Sequence, residues 1–424
     1  MIGLKKYIYL FCIVITLLSC SNQKQVGEYP FIDVVSSVKN YKSIYCSDYF
    51  SSMELIPLET SDNCVVVGHS RHFGSVILLN NDFIFMEGEN CLYAFNIKGE
   101  FINSVGKIGH GPAEYIYLNT YYFNKDESTI FVDAGDGQRI LEYDYNGKYI
   151  RSIPIPIVES IQLSHCSYIG NSLFIGQISN FTGKIKNKFC IFDRNGNTVK
   201  CFPNHIFFDR NGDYFTTYDN ALMPILVDDR IYIKDYYNDT IYILADYSLK
   251  PAFVFDFGKY TFSKEDMEGR TLRSSRYSDT FILKYLIGTS DYFFYSILVP
   301  NSFSKPKAKP FFSPMIKKNI SMDHELFGIY NISANTNILL DTDAHLQKGI
   351  INDINGGMPF FPRYYAGDGV VVDYWTAEDM KEILTDEYFA SQEIKDQIAH
   401  KKLREILINL KEDDNPVIVI AKIK

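Results

Sequence analysis

Short apolar runs separated by polar turns recur along most of this chain. Three units share one pattern of a strand-like run, a turn that ends in glycine, and a second run, with the glycines at Gly99, Gly147 and Gly196. A further apolar run precedes each unit, at 82–86, 129–133 and 172–176. A repeat of about 40–50 residues with four strands is typical of β-propeller blades, which must stack because one small sheet cannot bury both of its faces.

The remaining sequence predicts further blades with less regular spacing. A fourth unit keeps the strands but lacks the glycine, at 229–233 and 241–250. A fifth blade is indicated by runs at 291–299 and 325–332, and a sixth by runs at 369–376 and 416–423. Between the two runs of the sixth blade, near-helical spacing of apolar residues predicts a helical insertion at about 376–411.

Two early apolar runs, at 53–58 and 64–67, also need a sheet to join. We expect them to complete the last blade beside the final strand near Ile420, because a closed ring leaves few strand edges exposed. The predicted fold is therefore all-β: a six-bladed β-propeller of four-stranded antiparallel blades over residues 53–424, with helical insertions in the C-terminal part.

The N-terminus has the pattern of an export signal. Lys5 and Lys6 precede an apolar run at 7–18 that is shorter than the about 20 residues needed to cross a bilayer. The run ends in Leu-Leu-Ser-Cys at 17–20, which resembles a bacterial lipobox. The resemblance implies a signal peptide at 1–19 and a lipid on Cys20 that holds the protein at a membrane. An ordinary cleaved signal or an anchor helix is the alternative. We interpret the polar segment 20–52 as a tether and lead-in.

Composition narrows the class of protein. Hydrophobic residues make up 46% of the chain and aromatic residues 15%, with 32 Tyr and 32 Phe, which excludes a disordered chain. The net charge of −9 argues against a nucleic-acid partner, which requires basic surfaces. The aromatic residues favour strands, because their rings pack well on a pleated surface.

One pair of cysteines stands out in a hairpin. Cys190 and Cys201 flank a turn at Asn195-Gly196, a strong hairpin signal, and counting outward places them opposite each other. Facing positions are close enough for a disulfide, which an exported protein could form. Two buried free thiols are the alternative.

A family resemblance supports the propeller. The connector Gly106-Lys-Ile-Gly-His-Gly-Pro-Ala-Glu-Tyr115, the run around 54–59 and the C-terminal strand at 415–424 resemble segments of the six-bladed β-propeller lipoproteins of Bacteroidetes, relatives of NHL-type and TolB-like propellers. The resemblance implies the fold and a location in the cell envelope. It brings no catalytic residues.

Motifs for catalysis are mostly missing from the sequence. It contains no P-loop, no GxSxG elbow and no HExxH pair, and we expect neither a cofactor nor a bound metal. A metal-dependent hydrolase or lyase with its site in the propeller channel is the alternative function. It would need acidic and amide side chains from several blades around one point.

Binding is the function that the sequence favours. In a propeller, the connectors between blades and the middle loop of each blade meet on one face, and loops commonly carry function. Tyr rings beside polar groups on these loops suit glycans or peptides. The candidate ligand-binding residues are Arg71, His72, His110, Glu114, Tyr115, Asp136, Gln138, Arg139, Tyr236, Asn238 and Arg363.

We therefore expect a lipid-anchored cell-envelope module that binds a small molecule, glycan, peptide or protein in nutrient acquisition. Attachment to the outer membrane is expected, and the segment after Cys20 leaves both the periplasmic and the surface-exposed side open. The sequence indicates no oligomeric state.

Overall fold

The structure is a computed structural model. It describes residues 29–38, 40–66, 76–79, 82–88, 91–118, 120–180, 182–209, 222–235, 238–261, 280–300, 311–313, 318–320, 325–340 and 349–424. Six four-stranded antiparallel sheets form the blades of a propeller, and one of them gains a fifth strand.

The first elements lie before the first blade. They are β1 (Phe31–Asp33), the one-turn helices α1 (Val34–Ser37) and α2 (Cys46–Tyr49), and β2 (Phe50–Pro57). Strand β1 pairs in parallel with the outer strand of blade four, and β2 becomes the outer strand of blade six. Residues 31–50 of the predicted lead-in are therefore packed against the propeller.

Blades one to three follow in chain order. Blade one contains β3 (Val76–Leu79), β4 (Phe83–Glu87), β5 (Leu92–Asn96) and β6 (Phe101–Val105). Blade two contains β7 (Tyr121–Asn124), β8 (Thr129–Asp133), β9 (Arg139–Asp144) and β10 (Tyr149–Pro154). A small hairpin of β11 (Ile157–Val158) and β12 (Ile161–Gln162) leads to blade three, which contains β13 (Ser164–Gly170), β14 (Leu173–Gln177), β15 (Asn187–Asp193) and β16 (Thr198–Pro203).

Blades four to six complete the ring. Blade four contains β17 (Leu222–Val227), β18 (Arg230–Lys234), β19 (Thr240–Ala245) and β20 (Ser248–Asp256), and a 3-10 turn follows at Gly258–Tyr260. Blade five contains β21 (Ile282–Gly288), β22 (Tyr292–Leu298), β25 (Glu325–Asn331) and β26 (Thr336–Leu339), with the short pair β23 (Phe311–Ser313) and β24 (Lys318–Ile320) between its middle strands. Blade six contains β27 (Tyr364–Gly367), β28 (Val370–Trp375), β29 (Val417–Ile423) and the early strand β2.

Three helices lie between β28 and β29. They are α3 (Ala377–Ile383), α4 (Asp386–Ala390) and α5 (Gln397–Asn409). Each starts at a side-chain cap, in which Thr376, Thr385 and Asp396 accept backbone N–H bonds of the first turn. Leu403 and Met380 are buried, so the apolar stripes of these helices pack onto the propeller.

The ring closes through the first and last strands, as predicted. Strand β2 pairs antiparallel with β29, and Leu55 lies opposite Val419. The expectation of a strand at 64–67 is wrong for the described part, because residues 64–66 form none. Their backbone is held instead by the side chain of Asn415, which accepts a bond from Val66 N and donates one to Cys64 O.

The recurring turn glycines have a structural cause. Gly99, Gly147 and Gly196 all have positive φ, at 85°, 78° and 79°. A Cβ on Gly99 would lie 2.0 Å from Pro57 O, and one on Gly147 would lie 2.2 Å from Ser104 O. Each turn thus rests on the outer strand of the preceding blade, and glycine is required both for the backbone conformation and for this close approach.

Aromatic side chains fill the space between blades. Phe85 of blade one lies 4.8 Å from Phe123 of blade two, and Phe131 of blade two lies 5.0 Å from Phe174 of blade three, measured between ring centroids. Rings of this kind bury large apolar areas and prefer tilted or edge contacts. The abundant Phe and Tyr side chains therefore pack neighbouring blades against each other.

The predicted cysteine register is present. Cys190 of β15 faces Cys201 of β16, and the two sulfur atoms form a disulfide. Cys46, Cys64, Cys91 and Cys166 are buried free thiols.

Candidate functional site

Strand direction divides the propeller into two faces. Connectors between blades and the middle loop of each blade lie on one face, which we call the loop face. The turns that join first to second and third to fourth strands lie on the opposite face, which we call the turn face. The inner strand of each blade lies beside the central channel, so the channel has one mouth on each face.

Contacts between blades cross the channel mouth on the turn face. The ammonium of Lys125, from blade two, donates to Ala366 O of blade six at 2.7 Å. The carboxylate of Asp228, from blade four, accepts bonds from Tyr365 OH at 3.0 Å and from Ser290 Oγ at 3.1 Å. Burial lowers the pKa of Lys125. Turns from four blades therefore meet across this mouth.

On the loop face, the predicted residues of the connector after blade one mostly support the loop itself. The carboxylate of Glu114 accepts a bond from Gly111 N at 2.9 Å and pairs with Lys107 at 2.9 Å, which lowers the pKa of Glu114. Tyr115 is fully buried and donates to Val105 O. His110 is exposed on the same loop.

The predicted residues of the middle loop of blade two join this connector. The Arg139 guanidinium pairs with Asp136 at 2.7 Å and donates to three connector carbonyls, those of Gly111, Pro112 and Glu114. The other carboxylate oxygen of Asp136 accepts the backbone N–H of Gln138. The structure thus brings Glu114, Asp136, Gln138 and Arg139 together, and their bonds hold two loops against each other.

Arg363 lies at the loop-face end of the inner strand of blade six. Its guanidinium pairs with the carboxylate of Asp373 and lies 4.7 Å from the centre of the Tyr374 ring. Asp373 is buried, and burial raises its pKa although Arg363 opposes this effect. The Arg363 side chain is 27% exposed, so it remains accessible at the mouth.

Asn238 closes the middle loop of blade four. Its amide donates to Tyr242 OH at 2.8 Å, and its backbone carbonyl accepts a bond from the buried ammonium of Lys234. Burial lowers the pKa of Lys234 to about 8. The remaining predicted residues, Cys20, Arg71, His72 and Tyr236, lie outside the described residues.

Sequence reasoning missed a pair of residues between blades two and three. His165 has a φ of 49° and lies where the pairing of β13 with β14 shifts register. Such bulges reorient a side chain, and a left-handed non-glycine residue is strained, so both features are common at functional sites. Burial raises the pKa of Asp133, at the loop-face end of β8, and this effect is opposed first by the bond that its carboxylate accepts from Gly135 N at 2.8 Å and then by the charge of His165. No motif marks either residue in the sequence.

A second missed pair bridges blades three and four. The ammonium of Lys188 lies 3.3 Å from the carboxylate of Asp235, and both side chains are about nine-tenths buried. Lys188 is the second residue of the third strand of its blade and Asp235 follows the second strand of the next, so both are at the loop-face end. The ion pair joins blades three and four at this end.

The described residues lack both a metal-binding cluster and a membrane-spanning helix. They contain no group of three or more His, Cys, Asp or Glu side chains placed to hold a metal ion. Within the same ranges, no helix is both long and apolar enough to cross a membrane.

Comparison with known sequences identifies the family. The profile of a family described as a domain of unknown function, DUF4934, matches residues 29–422. The chain belongs to the DUF4934 family. No curated protein matches this DUF4934 chain.

Solved structures are similar to this DUF4934 chain over most of its length. A protein from Bacteroides fragilis described as exported is 17% identical, with 93% of this chain and 99% of that chain covered and a TM-score of 0.62. A DUF4221 family member from Bacteroides vulgatus is 13% identical, with 88% and 97% covered and a TM-score of 0.49.

Proposed function

We propose that this DUF4934 protein is a binding module of the cell envelope that takes a glycan or peptide ligand at the loop-face mouth of its channel. The observation that carries the proposal is the difference between the two mouths. Turn-face residues such as Lys125 and Asp228 bond across their mouth to blade six from blades two and four, whereas the described loop-face pair of Lys188 and Asp235 joins only neighbouring blades. A ligand therefore enters from the loop face.

The groups at this mouth suit a polar, ring-containing ligand. His165 and Asp133 offer a donor and an acceptor, Arg363 offers a guanidinium, and Tyr121 and Tyr364 start inner strands on the same face. Convergent polar groups fix the orientation of a ligand while aromatic rings supply contact area. Glycans and peptides both present this combination.

Attachment to the envelope through Cys20 is part of the proposal. Its support is the lipobox-like sequence at 17–20 and the likeness in fold to a Bacteroides fragilis protein described as exported. In this proposal the anchor holds the propeller at the outer membrane. The resemblance of the chain to NHL-type propellers is part of the same proposal.

A hydrolase or lyase is the second candidate. The observation that favours it is the left-handed backbone of His165 at the loop-face end of β13, because strained residues occur at active sites and imidazoles transfer protons in enzymes. Turnover of a bound glycan or peptide would distinguish this function from binding alone.

The test uses the full chain purified in detergent, with the mass of its N-terminal peptide reporting any lipid on Cys20. Binding is measured by calorimetry against neutral oligosaccharides, uronate oligosaccharides and short peptides. We expect His165→Ala and Asp133→Asn to weaken binding at least tenfold, because each removes a polar contact worth about 1.4 kcal/mol or more. Asp291→Asn, at an exposed residue of the turn face, is the control. No binding by any probe, or equal binding by all variants, would reject the proposed site.

A further inference from the structure

The inner strands of the propeller form the wall of the central channel, and they carry no carboxylate. These strands are β3, β7, β13, β17, β21 and β27, and their sequences contain no Asp or Glu. The whole chain, in contrast, has 51 acidic residues against 42 Lys and Arg. Within the six strands, the basic side chains are those of His165 and Lys284. The inner strands therefore carry positive charge in a protein whose net charge is negative.

A β-bulge turns Lys284 out of the regular alternation of its strand. The register of β21 with β22 shifts between Leu283 and Tyr285, so Lys284 has no partner on β22. Bulges of this kind re-aim a side chain. Lys284 is exposed, whereas Leu283 and Tyr285 are buried. Because the inner strands β17 and β27 flank β21 on its two sides, the open space beside Lys284 is the channel.

The ammonium of Lys284 is available to a ligand. Strand β21 starts at the loop face and Lys284 is its third residue, so its side chain leaves the wall about 7 Å inside the mouth. Among the described residues, the ammonium has neither an ion-pair partner nor a hydrogen-bond partner. Three carboxylates at the loop-face end already pair with cations: Asp136 with Arg139, Asp235 with Lys188 and Asp373 with Arg363. Lys284 therefore provides an unpaired positive charge just inside this mouth.

His165 occupies a similar position two blades away. It lies where β13 shifts register near its loop-face start, and β17 of the blade between them shifts register at the same level, between Leu222 and Ile225. Bulges are frequent beside functional sites, where they direct side chains. Three successive blades therefore have irregular inner strands on one side of the channel, and two of them present a basic group there.

The sign of this charge selects the class of ligand. A cleft lined by charge of one sign concentrates ligands of the opposite sign, and a hydrogen bond from an ammonium to a carboxylate is among the strong ones. We infer that Lys284 binds a carboxylate of an acidic glycan, one that contains uronate residues, inside the loop-face mouth. This inference rests on the proposed function, because it takes entry of a ligand from the loop face as its starting point.

A uronate glycan fits these groups better than a peptide. A short peptide carries an α-ammonium as well as a carboxylate, and the inner strands have no acidic side chain to accept that ammonium. A uronate residue combines a negative charge with a sugar ring. Tyr121 and Tyr364 start inner strands on the same face, and aromatic rings supply contact area for such ligands.

The test is calorimetry on the full chain in detergent with three probes: trigalacturonate, its fully methyl-esterified form and triglutamate. The ester keeps the sugar rings and removes the negative charge. We expect the wild type to bind trigalacturonate about tenfold more tightly than the ester, because a hydrogen bond between charged groups is lost in the ester. Lys284→Met should abolish this preference and leave binding of the ester unchanged, whereas Lys284→Arg should keep the preference.

Lys250→Met is the matched control. Lys250 is an exposed lysine on the outer strand β20, so this variant removes the same charge away from the channel. It should leave the preference for trigalacturonate as it is in the wild type. Circular dichroism checks the folding of each variant.

The possible results separate this inference from the proposed function. If none of the probes binds, both are overturned. If the ester binds as tightly as trigalacturonate, or if Lys284→Met keeps the preference or loses no more of it than Lys250→Met does, a binding module remains but the role of Lys284 is overturned. Tighter binding of triglutamate than of trigalacturonate would overturn the assignment of a glycan in favour of an acidic peptide.

Discussion

At the scale of single residues, burial at the loop-face end of a strand shifts the pKa of Lys234. Lys234 is fully buried at the end of β18, and its ammonium donates to Asp235 O at 2.6 Å and to Asn238 O. Desolvation outweighs the nearby carboxylates of Asp235 and Asp239, so the pKa of Lys234 is lowered to about 8. Lys234 therefore orders the middle loop of blade four, but burying its charge lowers the stability of the fold by an amount that depends on pH.

The lowered pKa of Lys234 predicts that the stability of the protein depends on pH. Between the folded pKa of about 8 and the ordinary value of 10.5, the unfolded chain keeps a proton on Lys234 that the folded chain has released. The wild type should thus gain stability relative to Lys234→Met as pH rises through this window, by on the order of 3 kcal/mol. Denaturant unfolding at pH 7.5 and pH 10 measures the difference. Lys250→Met, at an exposed lysine of β20, should show no such trend, and a flat Lys234→Met difference would contradict the assignment.

Among the elements, the N-terminal segment and the helical insertion meet at one buried carboxylate of the propeller. Asp353 is 1% exposed and accepts bonds from Ser47 N at 2.9 Å and from the Lys395 ammonium at 2.7 Å. Burial alone would raise the pKa of Asp353, but the bonds from Lys395 and Ser47 outweigh it and lower the pKa. Helix α2 and the loop before α5 are therefore both bonded to Asp353, and Lys395 also donates directly to Ser47 Oγ at 2.7 Å.

Replacing Asp353 should loosen both elements. We expect Asp353→Asn to lower the free energy of unfolding by about 2 kcal/mol near neutral pH, because a buried charged acceptor is lost. The pKa of Asp353 is lowered on folding, so its contribution is present above the ordinary Asp pKa and disappears as pH falls below about 4. Asp386→Asn is the control, since that carboxylate pairs with Arg404 while 87% exposed. If both variants lowered the free energy of unfolding equally, Asp353 would stabilise the protein no more than an exposed carboxylate does.

At the scale of the whole molecule, the ring depends on the seam between its first and last strands. Asn415 precedes β29 and is 2% exposed, and its amide donates to Glu59 O at 2.6 Å and to Cys64 O. Its side-chain oxygen accepts a bond from Val66 N at 2.8 Å. One side chain thus satisfies three backbone groups of the connector that leaves the seam.

Asn415→Ala should weaken the seam. Leaving these backbone groups unpaired should lower the free energy of unfolding by about 3 kcal/mol and speed hydrogen exchange along β2 and β29 before other blades are affected. Asn409→Ala, at an exposed residue near the end of α5, is the matched control and should change stability by less than about 0.5 kcal/mol. Uniform exchange over all blades would show that the seam is not a separate point of opening.

The sequence predicted much of the fold because the signals are local. The turn glycines at Gly99, Gly147 and Gly196 and the apolar runs around them are readable without knowing any distant contact, and the hairpin register of Cys190 and Cys201 follows from Asn195-Gly196. The run at 64–67 was misread over its described residues 64–66, because the backbone groups of Cys64 and Val66 bond to the side chain of Asn415, which is 351 residues from Cys64.

The candidate site was predicted less well, because it depends on contacts between residues that are far apart in the sequence. Loop positions drew attention to Glu114, Asp136 and Arg139, but whether their polar groups face a ligand or one another depends on how two loops meet. His165 and Asp133 belong to separate blades, so only the tertiary structure shows that both lie at the loop-face ends of their strands.

The sequence by itself determined the repeat, the number of blades and the closing of the ring, because each blade is specified by alternating apolar residues and by turns within about 50 residues. Only the tertiary structure decided which polar groups are used in joining loops, which mouth of the channel is bridged, and which apolar residues remain exposed. Those properties arise from contacts between blades, where burial and charge depend on residues far apart in the chain.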